Sequence, residues 1–331
     1  MAGIRRILHG PSNVAGMAGL LARGQREIGH DSLAICRPNR RFRFPADAWV
    51  GEGRVGEVRL SHALAELSRV QILHIYFGES FLGRELIDAR IAQRLGKRVF
   101  FTFLGCDIRD SKARQAGGDW SICGGCWPQG CSANRVDALR AALESRETIF
   151  VATPDLLEEV PTAVWLPLPV DLSFWRPTQP APQNGVLRIF HAPTDEGKKG
   201  TIHLRAAINA LVAKGAPVEL VTASGERADL VRAASGCHVA VDQVTSGVYG
   251  TTGAEMMALG LPVIARIDAR ARAIYPEDLP VISADPDSLP GVLEGLISGR
   301  VDLVAAGIQA AVYAARVHGH IGVAKSLEAH Y

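Results

Sequence analysis

Short apolar runs alternate with segments of helix length along most of the chain. Residues 5–9, 32–36, 72–76, 99–103 and 148–152 read as strands, and 188–191, 218–221, 239–241, 262–265 and 281–282 as a second set. The amphipathic stretches 14–28, 84–95, 134–144, 202–214 and 251–259 fall between them and read as helices. Strand, helix, strand, repeated, predicts an α/β protein with parallel sheets covered by helices on both faces.

The alternation breaks once. Pro161, Pro167, Pro169, Pro177, Pro180 and Pro182 crowd a stretch that can be neither a long helix nor a central strand. A domain boundary is expected there, near 177–185. It leaves an N-terminal domain over 1–176, a second domain over 185–315, and a closing helix over 316–331 that returns to the first. Two doubly wound, Rossmann-like domains would face each other across a cleft. Ligands in such sheets bind at the carboxyl ends of the strands, beside helix N-termini.

Length supports two domains, since 331 residues exceed what one small core organises. With 47% hydrophobic and 21% charged residues the chain fills ordinary cores, and wholesale disorder is excluded. A net charge of +2 is too balanced for a nucleic-acid binder. The first residues have no apolar run of signal-peptide length, and no apolar stretch reaches the 18 or so residues that span a bilayer. The expected location is the cytoplasm.

The six cysteines are then thiols or metal ligands rather than disulfides. Cys106, Cys123, Cys126 and Cys131 form C-x16-C-x2-C-x4-C within one predicted loop, 106–131. Four thiolates at that spacing suit tetrahedral zinc, with Gly124 and Gly125 allowing a tight knuckle. Such a zinc would be structural, because four protein ligands leave no open position for catalysis. Free or redox thiols, an iron–sulfur cluster and disulfides are the alternatives. Trp120 and Trp127 in the same loop are either sugar-stacking faces or local packing. One basic run, Arg37-Pro38-Asn39-Arg40-Arg41-Phe42-Arg43, either meets anionic lipid head groups or is a solvated loop.

Two loops are built for close approach of a ligand. His9-Gly10-Pro11-Ser12-Asn13-Val14-Ala15-Gly16 follows the first strand. Asp242-Gln243-Val244-Thr245-Ser246-Gly247-Val248-Tyr249-Gly250 follows the strand at 239–241 and opens a helix whose first turn holds Thr251, Thr252 and no acid. Amides and hydroxyls there would hold a diphosphate against the positive end of the helix dipole. Glu255, one turn in, could accept hydrogen bonds from ribose hydroxyls, or sit on a solvated face.

Tyr249-Gly250, Glu255, Met257-Ala258 and Gly260-Leu261-Pro262-Val263-Ile264-Ala265 together resemble the donor-binding segment of group 1 glycosyltransferases of the GT-B fold. His191-Ala192-Pro193, Lys199-Gly200-Thr201, Asp242-Gln243, Gly105-Cys106-Asp107-Ile108-Arg109, Thr153-Pro154-Asp155-Leu156-Leu157, Leu168-Pro169-Val170-Asp171 and Pro276-Glu277-Asp278-Leu279-Pro280 are similar to one bacterial, surface-glycan branch of that family. The resemblance runs from about residue 70 to 290. It implies transfer of a sugar from a nucleoside diphosphate to a saccharide or lipid-linked acceptor, with retention, without a catalytic metal and with peripheral membrane contact. Glu255 would hold the ribose, Thr251 and Thr252 the diphosphate, and Lys199 the charge of the leaving phosphate. Gly16, His191, Lys198, Tyr249 and Gly250 complete the donor side. Asp107 joins Lys199 as a catalytic candidate, and His74, Asp107 and Arg109 are the acceptor-side candidates.

The sequence also departs from the family. Gly247 stands eight residues before Glu255, where typical members carry a glutamate that touches the donor sugar. Glu196 lies near where a diphosphate-binding arginine is usual, and Leu104 where many members have histidine. These departures keep open a catalytically silent relative that binds a nucleotide or sugar. A sugar-nucleotide epimerase on the same fold is the other alternative, although no paired carboxylates are evident.

Overall fold

A computed structural model describes residues 3–38, 44–51, 54–110, 120, 123, 135–177 and 185–331. Its described residues divide into two compact units. Those within 1–109, 130–171 and 318–331 form one, and those within 110–129 and 172–317 form the other.

The first unit is an eight-stranded sheet of β1 (Arg6–His9), β2 (Asp31–Cys36), β3 (Ala48–Val50), β4 (Glu57–Val58), β5 (Ile72–Tyr76), β6 (Arg98–Phe103), β7 (Ile149–Val151) and β8 (Val164–Trp165). The second holds five strands, β9 (Leu187–His191), β10 (Val218–Thr222), β11 (Val239–Val241), β12 (Val263–Ala265) and β13 (Ile282–Ser283). Every pairing is parallel, and the spatial orders are β4-β3-β2-β1-β5-β6-β7-β8 and β10-β9-β11-β12-β13. In each sheet the chain winds outward in one direction and then in the other. The order reverses between β1 and β5 in the first sheet and between β9 and β11 in the second. At such a switch point two neighbouring loops leave in opposite directions and open a crevice over the strand ends.

The central strands are apolar throughout because both faces are covered. Along β5 and β6, Leu73, Ile75, Val99, Phe101 and Phe103 pack into one buried layer. Ile72, Tyr76 and Phe100 pack into the opposite one. In the second sheet Ile189, Val239, Val241 and Ile264 pack with Leu204, Ile208, Leu289 and Leu293 of the covering helices. Each such Leu or Ile stabilises the fold by about 1.5–3 kcal/mol.

Strand ends differ from the sequence reading by a residue or two, and β5 and β11 coincide with it. The short strands β3, β4 and β8 lie at the outer parts of the first sheet, where partial burial erases the apolar run. The C-terminal stretch 316–331 is not one helix. Helices Leu303–His318 and His320–Leu327 are separated by Gly319, whose ψ of 119° takes it out of helical conformation. The second of them packs on helix Met17–Glu27 of the first unit, where a side chain at Gly24 would meet the backbone of His320 at 2.7 Å.

Candidate functional site

The switch point of the second sheet gathers side chains from four places in the chain. Strand β9 ends at His191, and β11 delivers Asp242 as the first residue beyond its carboxyl end. The short helix Glu196–Lys199 supplies Lys199, and helix Thr251–Ala258 begins beside them. The Lys199 ammonium is ion-paired with Asp242 Oδ1, and both residues are buried. The other oxygen of Asp242 accepts the Gly250 amide at 2.5 Å, at the cap of helix Thr251–Ala258. That helix has no side-chain cap and no acid in its first turn. Its leading amides must therefore be satisfied from outside the helix, and its dipole favours an anion there. Thr251 and Thr252 are half-exposed at this end.

The glycine loop is stitched into place around this pair. Thr245 donates its hydroxyl to Lys198 O at 2.9 Å, Gln243 its side-chain amide to Val248 O at 2.5 Å, and the Arg266 amide bonds Gln243 O at 2.9 Å. Gly247 is left-handed, with φ +81°. A Cβ at that position would lie 2.3 Å from Asp268 Oδ2 and 3.1 Å from Arg266 Nη1, so the glycine is required by contact as well as by conformation. Lys198 has its ammonium 3.8 Å from Asp195, and Glu196 pairs with Arg205 at 2.8 Å.

Glu255, one turn into the helix, is 9% exposed. Burial pushes its carboxyl up to about 8, with the nearby charge of Asp242 raising it further and Arg227, Lys199 and the Trp175 indole opposing. A buried ionisable group of this kind beside a lysine, an aspartate and an open helix start is a candidate functional site.

Of three further donor-side candidates, His191 and Tyr249 are buried within the second unit and Gly16 lies in the first. His191 is buried, with Nδ1–H donating to Val241 O at 2.8 Å and Nε2 accepting from the Thr201 hydroxyl at 2.8 Å. Burial lowers its pKa and keeps it neutral, so it ties β9, β11 and helix Thr201–Ala213 together. Tyr249 is buried, with its ring stacked 4.7 Å from that of Tyr275 and its hydroxyl 3.4 Å from that of Tyr313. Gly16, in the first unit, is left-handed at φ +75° and caps helix Met17–Glu27 with Phe44 3.1 Å from where its Cβ would be.

The acceptor-side candidates His74, Asp107 and Arg109 lie in the first unit. His74 does not point beyond the strand end. It lies inside β5, where side chains alternate between faces, and its ring sits in the interior. Its Nε2 meets the Thr102 hydroxyl at 2.7 Å and its Nδ1 the Tyr331 hydroxyl. Burial, with His9 5.4 Å away, lowers its pKa well below the usual range. Asp107 and Arg109 are both buried. Asp107 closes its own turn, accepting the amides of Leu104 at 3.0 Å and Gly105 at 2.7 Å. Arg109 bonds Asp155 through Nε at 2.8 Å in a buried ion pair. Desolvation raises Asp107 to about 6 in spite of those amides.

Of the cysteine cluster, Cys106 and Cys123 are described; Cys126, Cys131 and Trp127 lie outside the described residues, as does 39–43 of the basic run. Trp120 donates its indole N–H to Asp287 at 3.2 Å and meets the His203 ring edge-on at 4.8 Å. Among the described residues no helix is long and apolar enough to cross a membrane. Asp242, named in the sequence as part of the Asp242-Gln243 motif, gains here a partner that the sequence did not assign to it. Its signal was its place, an acid immediately after an apolar strand and ahead of a glycine loop.

No protein-family model matches the chain, and no curated protein matches it in sequence. Solved structures do match over nearly the whole length. HepE from Anabaena, in complex with UDP and glucose, is 11% identical with a TM-score of 0.64, over 99% of this chain and 99% of that one. The catalytic domain of starch synthase IV from Arabidopsis thaliana, bound to ADP and acarbose, is 12% identical with a TM-score of 0.63, over 99% and 98%. AviGT4, a glycosyltransferase involved in avilamycin A biosynthesis, is 14% identical with a TM-score of 0.56, over 99% and 97%. The likeness shows the fold: the two Rossmann-like units are those of GT-B glycosyltransferases.

Proposed function

We propose that the protein is a glycosyltransferase that takes a sugar from a nucleoside diphosphate and passes it to a saccharide or lipid-linked saccharide. The observation that carries this reading is the convergence of Lys199, Asp242, the uncapped start of helix Thr251–Ala258 and the buried Glu255 at the switch point of the second sheet. A diphosphate suits the helix start and the lysine, and a ribose suits the carboxyl one turn on.

In the reaction, the acceptor oxygen forms a bond to the anomeric carbon as the bond to the diphosphate breaks. The acceptor's proton passes to the departing phosphate oxygen, and the departing charge is stabilised by Lys199 and the helix dipole. Asp242 holds the lysine chain in place for that role. Transfer with retention and without a catalytic metal is part of the same reading. So are a structural zinc on Cys106, Cys123, Cys126 and Cys131 and a cytoplasmic, membrane-facing location.

One observation favours a second reading, a silent nucleotide binder: the ammonium of Lys199 is already engaged by Asp242. Both readings are tested by melting the protein with UDP, ADP, GDP and dTDP, followed by turnover of the matching nucleotide sugars. A nucleotide at 100 times its Kd should add about 2.7 kcal/mol of stability. Glu255→Ala should remove most of that shift. A shift without nucleoside-diphosphate release in the presence of any acceptor would favour the silent binder, and no shift with any nucleotide would overturn both.

A further inference from the structure

Helix Leu303–His318 belongs to the second unit up to Val317, and it reads like a buried helix although one face meets solvent. From Leu303 to Ala315 it carries no charged residue, and Gln309 is the one exposed polar side chain there. One face packs within the unit. Gly307, Ala310, Tyr313 and Ala314 are buried, and a side chain at Gly307 would meet Gly260 O at 2.2 Å. The opposite face is apolar as well. Val304 is 43% exposed, Ile308 62% and Val312 63%, with Ala305 and Ala315 exposed beside them. A surface helix normally turns charged residues to water, and one that is apolar all round is covered on all sides. A continuous exposed apolar stripe marks a docking surface.

The stripe is complementary to itself. Successive residues of a helix lie about 100° apart. Val304, Ile308 and Val312 therefore run along the middle, Ala311 and Ala315 along one flank, and Asp302, Ala305, Gln309 and Arg316 along the other. Asp302 is exposed and caps the start, accepting the amides of Val304 and Ala305 at 3.0 Å. Arg316 is exposed at the other end, where it bonds Asp278 at 2.6 Å. The face thus begins with an acid, ends with a base and is uncharged between them. Two copies packed antiparallel about a two-fold axis bring like flanks together in reverse order. Asp302 then approaches the partner's Arg316, and Val304 lies over the partner's Ala311 and the partner's Ala315. Ile308 and Gln309 meet their own copies near the axis, where a glutamine amide can both donate and accept. A parallel pair would instead set acid level with acid and base level with base. An anionic membrane is the poorer match, because the stripe offers it one arginine, shared with Asp278, and an acid at the far end.

We propose that this face joins two copies of the chain through an antiparallel pair of these helices, making the protein a symmetric dimer. A contact of one helix a side, about 24 Å long, is at the small end for specific interfaces, so association in the micromolar range is expected.

The test is sedimentation equilibrium of the full chain from about 1 to 200 µM, with Ile308→Lys and Val312→Lys beside the wild type. The wild-type mass should rise toward twice that of the monomer across this range. Each lysine replaces a side chain already open to solvent, so melting of the monomer should not change. Each should weaken association about 10-fold or more, and Ile308→Lys the more so because it faces its own copy across the axis. Either variant suffices if the other does not fold. Gln309→Cys reports the orientation: mild oxidation should give a disulfide-linked dimer beyond any formed by the wild type under the same treatment. A wild type that stays monomeric throughout overturns the proposal, and binding of that monomer to anionic vesicles, lost in Ile308→Lys, would assign the stripe to a membrane. A dimer unaffected by both lysines would place the contact elsewhere. A dimer weakened by the lysines but not linked through Gln309→Cys would overturn the antiparallel arrangement.

Discussion

Glu255 is the residue where environment most changes chemistry. An ordinary glutamate titrates near 4.3, and burial carries this one to about 8. Between those values the folded protein holds a proton that the unfolded chain releases, so stability falls as pH rises through this window and the loss is complete above about 8. Glu255→Gln removes the titrating group. Its melting temperature should change less between pH 5 and 8.5 than that of the wild type, and identical slopes in thermal melts would sink this assignment. A ligand whose hydroxyls donate to the carboxylate favours the charged form. Nucleotide affinity should therefore rise with pH toward 8.5, with proton release on binding visible as a buffer-dependent heat. The sequence made Glu255 a candidate through its spacing from the glycine loop. It could not give the environment, because Asp242, Trp175 and Arg227 approach from other elements. The same limit explains the pairs that went unread: Lys199 finds Asp242, and Arg109 finds Asp155.

At the scale of elements, periodicity carried most of the information. Strands β5 and β11 were legible to the residue because both faces of a central parallel strand are buried and the apolar run has sharp ends. The start of helix Thr251–Ala258 was legible from the glycines before it. His74 shows the opposite case. A histidine in an apolar run carries no mark of the face it occupies, and here neighbouring strands supply Thr102 for one nitrogen while Tyr331 supplies the other's partner. Gly247 shows what an element boundary can demand. Any side chain there meets the Asp268 carboxylate, whose other oxygen caps helix Ala269–Ile274 through the Ala271 amide at 2.8 Å. Gly247→Ala must strain a left-handed residue and displace that cap, a cost of about 1–3 kcal/mol. A lowered melting temperature is expected, and an unchanged one would show that the loop relaxes freely. The glutamate of typical family members could not be restored at 247 without rebuilding this contact.

At the scale of the whole chain, sequence order and unit membership part company. The last fourteen residues, His318–Tyr331, belong to the first unit although the second separates them from it in sequence. Their attachment is dense. Val323, Ala324 and Leu327 enter the layer that holds Met17, Leu21 and Phe100. His330 O accepts from Arg98 at 2.7 Å, Glu328 meets His30 at 2.8 Å, and Tyr331 closes over His74 with its ring 4.7 Å from Phe100. Gly24 has no side chain because helix His320–Leu327 occupies the place one would fill. Deleting His318–Tyr331 therefore opens the interior of the first unit. It uncovers several large apolar groups, each costing about 1.5–3 kcal/mol, and leaves His74 with an orphaned nitrogen. The sum reaches about 5 kcal/mol or more, comparable to the whole stability of a small domain. Hydrogen exchange on a chain ending at Val317 should show β1, β5 and β6 losing protection while β9 and β11 keep theirs. Stabilisation by nucleotide should persist in that variant, since Lys199, Asp242, Trp175 and Glu255 all lie in the other unit. Unchanged protection in β5 would mean that the first unit closes without its returning segment. Lost protection in β11 would mean that the two units do not hold their stability separately.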